Sequence, residues 1–285
     1  MPVMPAQGPD PSPLPASGGH RVDILGVGFD ALDLSGAVAE IERRLDDGRR
    51  TFVITANPEF VMLARRAPDV AALAQRADLV LPDGTGAVLA SRILGEPLPG
   101  RAPGRLLIDV LAPTIARRSL SVFLLGAAPG IADAAAETLR RRVPGLRIAG
   151  TFAGAHDRDA ESLERVKAAG PDVVLVAFGM PRQERWIARN LDRLPGVRLA
   201  IGVGGVFDQL AGAVRMPPPA VHRAGLEWLW RLAQDPSRWR RQRVLPAFAA
   251  RVIATRLDQA REGFARPSRR APGIRRSRRQ RRDRG

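Results

Sequence analysis

Cysteine is absent from the 285 residues, which excludes a disulfide framework, a thiolate nucleophile and a Cys-ligated zinc site. Histidine is scarce: the three are His20, His156 and His222, and no two stand at helical spacing, so a His-built metal centre is not expected. Long apolar runs are lacking too; the longest are of strand length, far short of the roughly 20 residues that cross a bilayer as a helix. Residues 1–20, with Pro2, Pro5, Pro11, Pro13 and Pro15 before Ser17-Gly18-Gly19, have neither the basic start nor the apolar centre of a secretory signal. They read as a disordered leader, and the protein as cytoplasmic.

What is abundant is positive charge, and its location matters more than its size. The formal net charge is +16, yet residues 231–285 hold 18 Arg against four acidic residues, so residues 1–230 are nearly neutral. From Arg266 on there are ten Arg and one Asp in twenty residues, a composition that cannot pack and reads as a disordered tail.

With 45% hydrophobic residues the body can bury a full core. From Val22 short apolar runs alternate with helical stretches, and strands are expected at Val22–Gly26, Thr51–Thr55, Leu79–Leu81, Val122–Gly126, Arg147–Thr151, Val173–Phe178 and Leu199–Val203. This alternation argues for parallel βαβ units, hence an α/β fold with a Rossmann-like parallel sheet and flanking helices. A helical, membrane-proximal appendage is expected over residues 221–265, after a core of residues 21–220. In the appendage Trp228, Trp230 and Trp239 stand among arginines, a composition suited to lipid headgroups. A helical wheel from Leu245 to Phe264 gathers Leu245, Phe248, Ala249, Val252, Ile253, Leu257 and Phe264 on one half, with Arg256 intruding. That half fits either a membrane surface or the protein core.

Open α/β sheets bind ligands at the carboxyl ends of their strands, and five segments place polar groups or glycines there. Thr51–Thr55 leads to Asn57, and Leu79–Leu81 leads to Asp83, so adjacent parallel strands would bring Thr55 and Asp83 to one edge. A carboxylate there can take a proton from a substrate hydroxyl; the plainer reading of Asp83 is a helix cap or turn residue. Gly126-Ala127-Ala128-Pro129-Gly130 and Gly202-Val203-Gly204-Gly205 are turns that let a backbone approach a phosphate. The run Gly179-Met180-Pro181 is expected to expose Arg182, Gln183, Glu184 and Arg185 at the start of a helix. None of these turns matches G-x-G-x-x-G or the Walker pattern.

In order, T-A-N-P-E-F-V, L-P-D-G-T-G, Gly95–Arg101 with Gly104 after it, F-L-L-G-A-A-P-G, F-G-M-P-R-Q-E-R-W, G-V-G-G-V-F-D and L-E-W-L-W-R-L-A-Q-D-P-S-R-W-R-R resemble the WecG/TagA/CpsF glycosyltransferases, family 26. The resemblance runs from about Val22 to Arg243. It departs mildly at Arg215-Met216-Pro217, where the family usually has Arg-Ala-Pro. It implies inverting transfer of N-acetylmannosamine, its uronic acid or another hexose from a UDP-sugar to a polyprenyl-diphosphate-linked acceptor, with no cofactor besides the donor.

By the resemblance, Asp83 is the general base and Thr55 and Asn57 flank the reacting centre. Arg101 binds acceptor or phosphate, Gln183 and Asp208 hold the UDP portion, and Arg231, Arg238 and Arg241 close over the diphosphate at an anionic membrane surface. A homo-oligomer is compatible with it. Asp157-Arg158-Asp159 is a D-x-D triplet of the kind other glycosyltransferases use to hold a metal, but it falls where the family carries no such ligand. Two loop carboxylates alone make a poor hard-cation site, so metal-independent chemistry is expected. A nicotinamide-dependent oxidoreductase is disfavoured because no G-x-G-x-x-G follows the first strand. A specific nucleic-acid binder is disfavoured because an arginine run does not explain the ordered sheet-edge motifs.

Overall fold

The computed structural model describes residues 19–154, 159–214, 218, 221, 227–234, 239 and 243–265. His156, Asp157, His222, the segment 215–217, Arg238, Arg241, residues 1–18 of the leader and the whole tail 266–285 lie outside the described residues.

Six strands form one parallel sheet: β3 (Thr51–Ala56), β4 (Leu79–Pro82), β5 (Ser121–Gly126), β6 (Arg147–Phe152), β7 (Val173–Ala177) and β8 (Leu199–Gly202), in spatial order β4-β3-β8-β7-β5-β6. Each lies within a residue or two of its expected range.

The first expected strand is the exception. Arg21–Ile24 (β1) turns back at Leu25-Gly26 and pairs antiparallel with Val27–Asp30 (β2), a separate hairpin and not a seventh parallel strand. Gly26 sits at φ +92°, where the left-handed region favours glycine. The carbonyl of His20 accepts from Ala31 N–H at 3.0 Å, so the last leader residue already joins the hairpin. The hairpin covers the free edge of β4: the carboxylate of buried Asp30 accepts from Val80 N–H at 2.7 Å and pairs with Arg21 at 3.2 Å. Burial raises the Asp30 pKa, against the lowering effect of the Val80 bond and Arg21.

Alternate residues of the strands face opposite layers. Phe52, Ile54, Val80, Val174 and Val176 pack under α2 (Pro58–Ala64), α3 (Pro68–Arg76), α4 (Thr85–Leu94), α7 (Asp159–Ala169) and α8 (Arg182–Asn190). Val53, Leu81, Leu175 and Ile201 pack under α1 (Leu34–Asp46), α5 (Gly104–Arg117), α6 (Ile131–Arg142) and α9 (Val206–Leu210). Hence α2 leaves β3 on one face while α9 leaves the adjacent β8 on the other, and the loops part between them. Such a parting at the carboxyl edge is where open α/β sheets hold ligands.

The C-terminal region contributes α10 (Glu227–Gln234) and α11 (Val244–Ala265). The apolar half foreseen for α11 is split: Phe248 and Val252 are 5% and 1% exposed and join the core beneath α2 and α4, whereas Ile253 and Leu257 are more than half exposed. α11 is thus a packed helix that also presents apolar side chains to its surroundings.

Candidate active site

Strand register sets the site. Thr55 lies beside Leu81 and Ala56 beside Pro82, and Asp83 N–H donates to the Ala56 carbonyl at 2.8 Å, so Thr55 and Asp83 emerge at the same sheet edge. Asp83 is not the cap of α4; that position is Gly84, at φ +105°. The Asp83 carboxylate instead lies 3.4 Å from the backbone N–H of Gly104, the first residue of α5. A side chain at Gly104 would begin 3.4 Å from Thr55 Oγ1, so the start of α5 lies close to Thr55 as well as to Asp83. Thr55 Oγ1 donates to the Gly202 carbonyl at 3.2 Å and ties β3 to the end of β8.

The remaining expected residues surround this centre in different ways. Asn57 caps α2, its side-chain oxygen accepting from Phe60 N–H at 3.0 Å. Arg101, half-buried, sits in the α4–α5 connection, which is pinned by Ala102 N–H to the Pro82 carbonyl at 2.8 Å. Asp208 lies in the first turn of α9, half-buried, just past the β8 loop. Arg231 falls within α10, and its side chain is outside the described set, as are Arg238 and Arg241. Asp159 pairs with Arg189 of α8 at 2.5 Å, and among the described residues no group of three or more His, Cys, Asp or Glu could hold a metal ion.

At α8 the expectation needs correction. Arg182 is exposed, but Gln183 and Glu184 are 3% and 1% exposed, because they share the inward face of the helix with Ile187 while Arg185 and Arg189 ion-pair on its outer face. Gln183 Oε1 accepts from Gly204 N–H at 2.9 Å, and its Nε2 donates to Glu184 Oε1 at 2.8 Å. A side chain at Gly202 would begin 2.7 Å from Gln183 Nε2, which is why the turn after β8 needs glycine there. Gln183 therefore acts on the β8 loop by buttressing it.

Glu184 was not singled out as a site residue by its sequence context; its isolation between charged neighbours hides its burial. Burial pushes its carboxyl up to about 7 against the smaller opposing effect of the Gln183 bond. An acid with a raised folded pKa holds its proton more tightly when folded. Its stabilising contribution is full below the ordinary 4.5 and is lost as pH rises to about 7. Glu184→Gln, which cannot ionise, is expected to gain about 3 kcal/mol on the wild type between pH 4 and pH 8, read by urea unfolding. A pH-independent difference between the two would refute the assignment.

A cavity of about 310 Å³ lies elsewhere, lined by His20, Asp30, Glu40, Arg43 and Arg49 near the start of β4; it holds none of these groups.

A doubly wound α/β fold with a carboxylate and a hydroxyl at the carboxyl edge of adjacent strands is the arrangement of a ligand-binding α/β domain. The model of the glycosyl transferase WecG/TagA/CpsF family matches residues 22–262, and the chain belongs to that family. It is 35% identical over 222 residues to an N-acetylglucosaminyldiphosphoundecaprenol N-acetyl-β-D-mannosaminyltransferase of Bacillus spizizenii, covering 78% of this chain and 86% of the relative. A protein of the same name from Staphylococcus aureus is 32% identical over 234 residues, with 81% and 92% covered. The protein is a glycosyltransferase. Among the described residues no helix is long and apolar enough to cross a membrane.

Proposed function

We propose that this enzyme transfers N-acetylmannosamine, or a related hexose, from a UDP-sugar to a GlcNAc carried on a polyprenyl diphosphate, with inversion at the anomeric carbon. The observation that carries the reading is the meeting of Thr55, Asp83 and Gly104 beside the Gly202–Gly204 turn. The names of the relatives support the acceptor and the transferred sugar.

In this reading the Asp83 carboxylate takes the proton of the acceptor hydroxyl as its oxygen bonds to the anomeric carbon. The bond from that carbon to the UDP oxygen breaks, and UDP leaves with the electron pair. The proton then rests on Asp83 and passes to water. Thr55 and Asn57 orient the sugars, while Arg101 and the appendage arginines Arg231, Arg238 and Arg241 supply charge to the departing diphosphate. Gln183 and Asp208 shape the UDP site from the β8 side. No metal takes part. The lipid-linked acceptor is met at the inner face of the membrane, which the exposed side chains of Trp239, Ile253 and Leu257 suit.

The test offers a panel of UDP-sugars with a polyprenyl-diphosphate-GlcNAc analogue, in EDTA and without it, and identifies the product by mass and by its anomeric coupling. The expected result is one added N-acetylhexosamine of inverted configuration, undiminished by EDTA. Absence of transfer from every UDP-sugar would overturn the reading. Loss in EDTA restored by magnesium or manganese would overturn its metal-free part and return attention to Asp157 and Asp159.

A further inference from the structure

Glu184 takes no part in the chemistry above, yet its carboxyl is held inside the protein. Its Oε2 has no hydrogen-bond partner among the described residues, and its Oε1 accepts one side-chain bond, from Gln183. Burying a carboxyl with so little compensation is costly, and an apolar residue of similar size would fill the space more cheaply. What an apolar residue could not do is orient the Gln183 amide. With Nε2 drawn toward Glu184, Oε1 faces the Gly204 N–H; with the amide reversed, an NH₂ would face that N–H, donor against donor. The nearby Gly202, which has no side chain to collide with Gln183, carries the carbonyl that accepts from Thr55.

From this connected set we propose that Glu184 is a positioning residue: it selects the Gln183 amide orientation that fixes the β8 turn, and through that turn it sets affinity for the UDP-sugar. The last step rests on the proposed role of the β8 turn at the UDP portion of the donor. The raised Glu184 pKa agrees with a group retained for its acceptor oxygen, which the neutral acid also provides.

The test compares Glu184→Leu and Glu184→Ala, which remove the acceptor, with Glu184→Gln, which keeps one. Two readouts are used: calorimetric Kd for UDP, and amide hydrogen exchange at Gly204 with Val174 and Val176 as internal references. Loss of the acceptor is expected to weaken UDP binding about tenfold and to speed Gly204 exchange about tenfold, with the references unchanged. The Gln variant should restore both to within about threefold. A merely space-filling role would shift neither at temperatures well below unfolding.

Unchanged Gly204 exchange in whichever of the Leu and Ala variants folds would overturn the proposal, as would failure of all three variants, Gln included, to fold. If the wild type itself does not bind UDP, the proposed function falls, and Gly204 exchange alone decides whether Glu184 fixes the turn.

Discussion

Asp83→Asn is expected to lower kcat by about 10²–10⁴-fold, the usual worth of a general base, while leaving the Kd for UDP and the unfolding midpoint near those of the wild type. The substitution is well suited because it changes charge and basicity and little else. The bond Asp83 accepts from Gly104 N–H can be accepted equally by an amide oxygen. Asp83 is only half-buried at the sheet edge where Thr55 also emerges, which leaves part of its side chain open to an acceptor hydroxyl. Steady-state transfer measured against both substrates, beside calorimetric titration of UDP, separates loss of the base from loss of binding. A variant turning over at near the wild-type rate would remove Asp83 from the chemistry.

Ending the chain after Arg243, so that α11 is lost, is expected to destabilise the whole protein and not merely to detach it from membranes. Phe248 and Val252 lie in the same core as Phe60, Ala87, Ala90 and Leu94, and without them that surface meets water. Truncating the first alone, in Phe248→Ala, should cost about 3–5 kcal/mol, a large part of the roughly 5–15 kcal/mol that a domain commands. Urea unfolding reads this directly. Ending the chain after Ala265 should by contrast leave the unfolding midpoint unchanged. It removes ten arginines, each worth about 1 kcal/mol near anionic headgroups, so vesicle binding should weaken, most clearly at low salt, where that attraction is least screened. A chain lacking α11 that unfolds at the same urea concentration as the full protein would show that Phe248 and Val252 contribute nothing to the core.

The central site was legible because its pieces are local. A strand ending in Thr55-Ala56-Asn57 and another ending in Pro82-Asp83 need only pair in parallel to meet, and their apolar runs made that pairing the expected one. The participation of Gly104 was not legible as chemistry: its N–H reaches Asp83 across 21 residues, through a loop pinned to the Pro82 carbonyl. The hairpin of β1 and β2 was missed for a different reason. The two-residue turn Leu25-Gly26 can join Val22–Ile24 and Val27–Phe29 only antiparallel; what their apolar pattern does not show is that the hairpin stands apart from the parallel sheet, at the free edge of β4 where Asp30 accepts from Val80 N–H.

The sequence by itself determined the alternation of strands and helices, the glycine turns at the strand ends, the position of the charge, and the ordered motifs that define the family. These are properties of neighbouring residues: period, backbone freedom and composition. Tertiary structure alone decided which polar groups are inside. Charged neighbours made the start of α8 look wholly exposed, yet packing of that helix on the sheet turns Gln183 and Glu184 inward and leaves Arg182 outside. It likewise divided the apolar half of α11 between core and surface. Which face of a helix meets water is set by the layer it packs against, and that layer is built from strands far away in the chain.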